Sequence, residues 1–162
     1  MTQKQLRVLL VEDETVSAML IGLMLEDYTT VKYVIDTVKT LKEAKLTLES
    51  NKYDVILLDL ILPNGEGLST VREVRKYAKD IPLVVVTGED NDELALDTVR
   101  EKAQDYLVKG KFNQRDLSMS IQMAIERTKV CMECNSVNQA ASQVQETIKH
   151  LTTIAGKIGG MV

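Results

Sequence analysis

The stretch DVILLDLILPNGEG, residues 54–67, carries the pattern on which the fold turns. Its apolar run, Val55–Leu58, shows no alternation with polar residues, as expected of a strand covered on both faces of a parallel sheet. Asp59 closes the run, and Pro63, Gly65 and Gly67 follow as turn-forming residues that shape the loop after it. Upstream, RVLLV (7–11) ends in Glu12 and Asp13, and VKYVIDTV spans 31–38. Downstream, LVVV (83–86) runs into Thr87, and DYLV (105–108) runs into Lys109. The intervals 15–25, 40–50, 68–79 and 92–100 are long enough for helices and keep their apolar residues to one side, as Leu41, Ala44 and Leu48 do. Strand and helix in strict alternation predict a doubly wound α/β fold.

Composition narrows the function classes. The 162 residues are 44% hydrophobic and 27% charged, with two prolines and eight glycines, which excludes disorder and collagen-like repeats. Twenty bases against 24 acids leave no basic footprint for direct nucleic-acid binding. No run reaches the ~18–20 apolar residues of a membrane helix. The N-terminal MTQKQLRVLLVEDE meets acids just after its apolar run, unlike a signal peptide. These features, with Cys131 and Cys134 read as reduced thiols, predict a cytoplasmic protein without a membrane partner.

Glu12, Asp13 and Asp59 all stand just past strand ends. Ligands of open parallel sheets bind beyond the carboxyl ends, where strand order reverses. If the first and third strands are neighbours there, the three acids converge, and converging carboxylates repel unless a cation lies among them. Magnesium, with its preference for hard oxygen ligands, fits. A Thr87 hydroxyl and a Lys109 ammonium facing them would cradle the oxygens of a transferred group, the electrostatic clamp of phosphoryl transfer. An Asp carboxylate can serve as the nucleophile. Taken alone, Asp13 reads equally as an N-cap for the helix at 15–25, and Tyr106, in an alternating strand, as plain packing.

Taken together, LLVEDE (9–14), DVILLDLILPNGEG (54–67), VVVTGED (84–90) and QDYLVKG (104–110) resemble, in order and spacing, the receiver domain of two-component response regulators. The likeness covers residues 5–125 and is of the chemotaxis-response-regulator kind. It implies a flavodoxin-like strand order of 2-1-3-4-5 and a phosphorylation-dependent switch that catalyses only its own phosphorylation and dephosphorylation. By the same resemblance, Asp59 accepts phosphate from a histidine kinase or phosphotransfer protein. Glu12, Asp13, Asp59 and the Ile61 carbonyl hold magnesium, Thr87 and Lys109 bind the phosphoryl group, and Thr87 and Tyr106 form the switch to a downstream protein target. Two alternatives stand beside it. One is a magnesium phosphatase working through an aspartyl phosphate, which usually needs a second acid where this chain has Ile61. The other is the receiver portion of a longer regulator whose output domain is absent.

Three places depart from the family pattern. Gly110 follows Lys109 where a cis proline is common. Lys102 stands where a glycine usually ends the fourth helix, so a left-handed residue there carries a steric cost. Ile61 and Glu89, each two positions past a site residue, border the attacking water in the family, and isoleucine offers no side-chain hydrogen bond to orient it.

The fifth helix begins near Gln114 with no proline or glycine before Ile154 to stop it. Val130, Cys134, Val137, Ala141, Val144, Ile148, Leu151, Ala155, Ile158 and Val162 recur in steps of four and three, a heptad seam over about four heptads. Residues 1–125 carry 16 bases and 21 acids, whereas 126–162 carry four and three. The boundary is therefore expected at Arg127, with a receiver at 1–127 and a helical extension at 128–162 that pairs two chains or docks a partner. Cys131, Cys134 and His150 are too few for a zinc site within one chain, and IKHLTT around His150 matches no phosphotransfer motif.

Overall fold

The structure, a computed structural model, describes residues 3–26 and 30–160. In chain order the principal elements are β1 (Lys4–Val11), α1 (Thr15–Glu26), β2 (Val31–Val38), α2 (Leu41–Ser50) and β3 (Val55–Leu58). They continue as α3 (Leu68–Tyr77), β4 (Leu83–Thr87), α4 (Asp92–Arg100), β5 (Asp105–Val108) and α5 (Gln114–Gly159). The five strands form one parallel sheet in the order β2-β1-β3-β4-β5, the doubly wound arrangement expected.

Alternation along each strand feeds two cores. Val8, Leu10, Val55, Leu57, Val84 and Val86 face α1 and the start of α5, where Ile21, Leu25, Leu117 and Ile121 meet them. Leu9, Val11, Ile56, Leu58, Leu83 and Val85 face the other way, onto Ala44 of α2 and Val71 and Val74 of α3. Burying each such aliphatic side chain is worth roughly 1.5–3 kcal/mol. Both faces are thus paid for by apolar residues, which is why the central strands read as unbroken runs.

Element ends differ from the sequence reading by a residue or two, and the reasons are local. Thr40 lies outside α2 as its N-cap, its hydroxyl accepting from the Glu43 N–H at 3.1 Å. α3 stops at Tyr77 rather than Lys79. Asp13 is not the N-cap of α1, because the first turn closes from the Ala18 N–H onto the Glu14 carbonyl at 3.0 Å. A feature outside the sequence reading is a two-residue antiparallel ladder, Ile61–Leu62 with Gly65–Glu66. Gly65 is required there, since a Cβ would sit 2.9 Å from Thr70 Oγ1, and Gly67 takes a left-handed φ of 60°.

Two compact units divide the chain, Met1–Glu126 and Arg127–Val162. In the second, every described residue from Val130 to Gly160 is helical or terminal turn and exposed. Val162, the last seam position, lies outside the described residues.

Candidate functional site

Strand register assembles the site. Val11 of β1 pairs with Leu58 of β3, so the next residues, Glu12 and Asp59, emerge side by side at the carboxyl edge of the sheet. The Asp59 N–H donates to the Val11 carbonyl at 3.0 Å and the Glu12 N–H to the Val38 carbonyl at 2.9 Å, extending both ladders by one rung. Thr87 likewise pairs with Val108, and the Lys109 N–H donates to the Thr87 carbonyl at 2.8 Å. β1 stands between β2 on one side and β3 on the other, so this edge is the switch point at which ligands bind.

Glu12, Asp13, Glu14, Asp59, Ile61, Leu62, Pro63, Gly88 and Lys109 line an open cleft of about 460 Å³ at that edge. Lys109 Nζ lies 2.7 Å from Asp59 Oδ2 and 2.5 Å from Glu12 Oε2. Asp59 Oδ1 accepts from the Ile61 N–H at 3.1 Å, which fixes the carboxylate relative to its own loop. Glu12 Oε1 accepts from the Glu14 N–H at 3.1 Å. Burial raises the Glu12 carboxyl above the usual carboxylate range, and the Asp59 charge adds to it, although Lys109 pulls the other way. At Lys109 burial works against the charge, but the hydrogen bonds and charges of Asp59 and Glu12 outweigh it, so the group stays an ammonium.

Oxygens of Glu12, Asp13 and Asp59 lie within 4.8 Å of one another. Three carboxylates against one ammonium leave excess negative charge, and the donors are all hard oxygens, the set that suits a divalent cation such as magnesium. A cation there would screen the three carboxylates from one another and offer positive charge to an anionic ligand.

Glu12, Asp13, Asp59 and Lys109, expected from their strand-end positions, share this cleft with Ile61, which the resemblance implied. Thr87 does not line it: the residue is fully buried, with its Oγ1 accepting weakly from the Glu89 N–H at 3.4 Å, and Gly88 takes its place on the cleft wall. Tyr106 also lies outside the lining, its hydroxyl donating to the Glu89 carbonyl at 2.7 Å. Burial raises the phenol, and the carboxylates of Glu89, Asp90 and Asp59 raise it further. The sequence reading did not anticipate the Glu89 carbonyl, the Glu12–Lys109 ion pair or Gly88. Only the VVVTGED motif, which contains Glu89 and Gly88, hinted at any of them.

Residues 8–122 match the family model for the response regulator receiver domain, and the chain belongs to that family. Receiver domains of response regulators are phosphoacceptor switches. Among curated proteins, the chain is 31% identical over 134 residues to the transcriptional regulatory protein KdpE of Staphylococcus aureus, covering 82% of this chain and 55% of the relative. It is 32% identical over 122 residues to BasR of Escherichia coli, covering 75% and 53%. The chain thus spans about half the length of these relatives. Among solved structures, a response regulator receiver domain protein from Clostridium thermocellum superposes with a TM-score of 0.66 at 26% identity, covering 78% of this chain and 98% of that one.

Proposed function

We propose that this chain is a phosphorylation-dependent signalling switch whose acceptor is Asp59. A carboxylate oxygen of Asp59 attacks the phosphorus of a phosphohistidine on a histidine kinase or phosphotransfer protein. The new O–P bond forms as the P–N bond breaks, and the imidazole nitrogen leaves with the electron pair and picks up a proton. Lys109 neutralises the charge that gathers on the phosphoryl oxygens. In this reading the Thr87 hydroxyl, buried and accepting only weakly from the Glu89 N–H, turns to those oxygens once they arrive. Tyr106, now tied to the Glu89 carbonyl, reports that movement to the outer face of β5. Magnesium, held by Glu12, Asp13, Asp59 and the Ile61 carbonyl, supplies further charge to the same oxygens when bound.

The single observation behind this reading is the buried Asp59 carboxylate, held by Lys109 at 2.7 Å among two further acids at the sheet's switch point. The reading places the protein in the cytoplasm; no described helix is long and apolar enough to cross a membrane. Output passes to a downstream protein, and the helix beyond Arg127 joins two copies through its heptad seam. The phosphatase alternative gains nothing from the geometry, because Ile61 brings no acid to the cleft.

The test is labelling with acetyl phosphate or phosphoramidate in the presence of magnesium. The wild-type chain should take up one phosphoryl group and hold it, whereas Asp59→Asn should take up none. Undiminished labelling of Asp59→Asn would move the acceptor elsewhere, and rapid multiple turnover by the wild type would favour a phosphatase.

A further inference from the structure

The seam of the second unit has a pattern of side-chain sizes that its heptad spacing does not explain. Alternate seam positions hold Cys134, Ala141, Ile148 and Ala155, and the positions between them hold Val137, Val144, Leu151 and Ile158. The large members are well over half exposed, Val137 at 67% and Ile158 at 63% among them. An uncovered stripe of that kind calls for a matching surface, and a second copy of the same helix can align with it in two ways.

In a parallel, in-register pair every residue meets itself. Ala141 would face Ala141 between layers of Val137 and Val144, and Ala155 would face Ala155 between layers of Leu151 and Ile158, so that thin layers alternate with thick ones and voids open between them. In an antiparallel pair the small residues meet large ones. Aligning Val144 with Ile148 of the second copy sets Ala141 against Leu151, Val137 against Ala155 and Cys134 against Ile158. That alignment sets a smaller residue against a larger one in three of the four layers it forms between positions 134 and 158, and facing large against small is how cores reach native density.

Charge points the same way. Of the e and g heptad positions beside the seam from 131 to 159, Glu133 alone is charged, so interhelical salt bridges do not dictate a parallel register. Residues 1–125 carry 21 acids against 16 bases. A parallel pair would bring two such acidic receivers to one end of the coil. An antiparallel pair attaches them at opposite ends, the two Arg127 positions about 57 Å apart along the helix, well beyond the ~8 Å over which charge is felt in physiological salt.

We propose that the C-terminal helix pairs with a second copy of itself in antiparallel alignment, with Ala141 packed on Leu151 and Cys134 on Ile158. The proposal rests on the dimer reading above. It makes the tail a spacer that holds two receivers apart, each free to meet its phosphodonor.

The native cysteine supplies the test. Full-length protein carrying Cys131→Ser and Ile158→Cys is sedimented in reducing buffer at micromolar concentration, then oxidised with diamide, which takes up the two electrons and two protons of each disulfide formed. Cross-linked dimers are digested and their joined peptides weighed. The expected product links position 134 of one copy to position 158 of the other. Cys131→Ser alone should give no dimer on a non-reducing gel, since two Cys134 thiols would lie about 36 Å apart. A dimer joined through Cys134 on both sides, or one that forms no bond, overturns the antiparallel alignment while the dimer itself stands. A monomer in the first sedimentation run overturns the dimer reading and the alignment with it.

Discussion

Ile61 sits beside Asp59, the proposed acceptor, with its backbone N–H on Asp59 Oδ1 and itself 49% exposed in the cleft wall. An alkyl group there can exclude water from the acceptor but cannot orient it for attack. Phosphate on Asp59 is therefore expected to leave slowly. Ile61→Asn should speed that loss, because an amide can hold water by hydrogen bonding where the alkyl group cannot. The measurement is the decay of labelled protein after the phosphodonor is removed; an equal or slower decay in the variant would deny Ile61 this part. The same residue argues against a hydrolase, so one side chain bears on both lifetime and class.

At the end of α4 a residue pattern and a helix-ending motif conflict. The Ala103 N–H donates to the Thr98 carbonyl at 3.0 Å and the Lys102 N–H to the Val99 carbonyl at 2.9 Å, the paired bonds of a Schellman motif. The motif puts Lys102 at φ 70°, the only non-glycine with positive φ among the described residues. Arg75 of α3 secures the strained turn, Nη2 donating to the Lys102 carbonyl at 2.6 Å and Nη1 to the Ala78 and Ile81 carbonyls at 2.8 and 2.7 Å. The left-handed conformation costs an L-residue about 1–2 kcal/mol, part of which a glycine returns as chain entropy. Lys102→Gly should therefore raise stability by about 1 kcal/mol and the melting temperature by a few degrees, read by thermal unfolding. No change would mean that the Lys102 side chain already offsets its backbone. Because this turn joins α4 to β5, the strand that carries Tyr106, a firmer turn here also steadies the proposed switch residue.

Across the molecule, a network at the sheet end opposite the cleft ties β1, β2 and the entry to β3 together. The Tyr53 hydroxyl donates to Asp36 Oδ2 at 2.7 Å, Arg7 Nη2 lies 3.2 Å from the same oxygen, and the Arg7 guanidinium stacks 5.0 Å from the Tyr53 ring. Burial first, and then Asp36, push the Tyr53 phenol up to about 12. A folded value above the unfolded one, near 10, means that the folded chain binds more protons between the two. The contribution is fully present below pH ~10 and is lost as pH rises towards 12, roughly 2–3 kcal/mol in all. Urea unfolding from pH 8 to 12 should show this fall, and Tyr53→Phe should flatten its own share of it. An identical pH dependence in the variant would place the alkaline loss on other groups.

The sequence alone determined the order and type of the principal elements, and it marked Glu12, Asp13, Asp59 and Lys109 as strand-end residues. Those properties are local: unbroken apolar runs, turn residues such as Gly67 and the step of a helical stripe can be read within a dozen neighbours. It missed the ladder at residues 61–66, since two-residue strands have no period to detect, and it left Asp13 open as an N-cap of α1, a place the first turn gives to Glu14. Only the tertiary structure decided that Lys109 bridges Asp59 and Glu12, that Thr87 stays buried behind Gly88, and that Tyr106 reaches the Glu89 carbonyl. Those contacts join residues from different strands and loops, some of them far apart in sequence, and they exist because parallel register and the direction of each side chain, not neighbouring residues, set which groups meet.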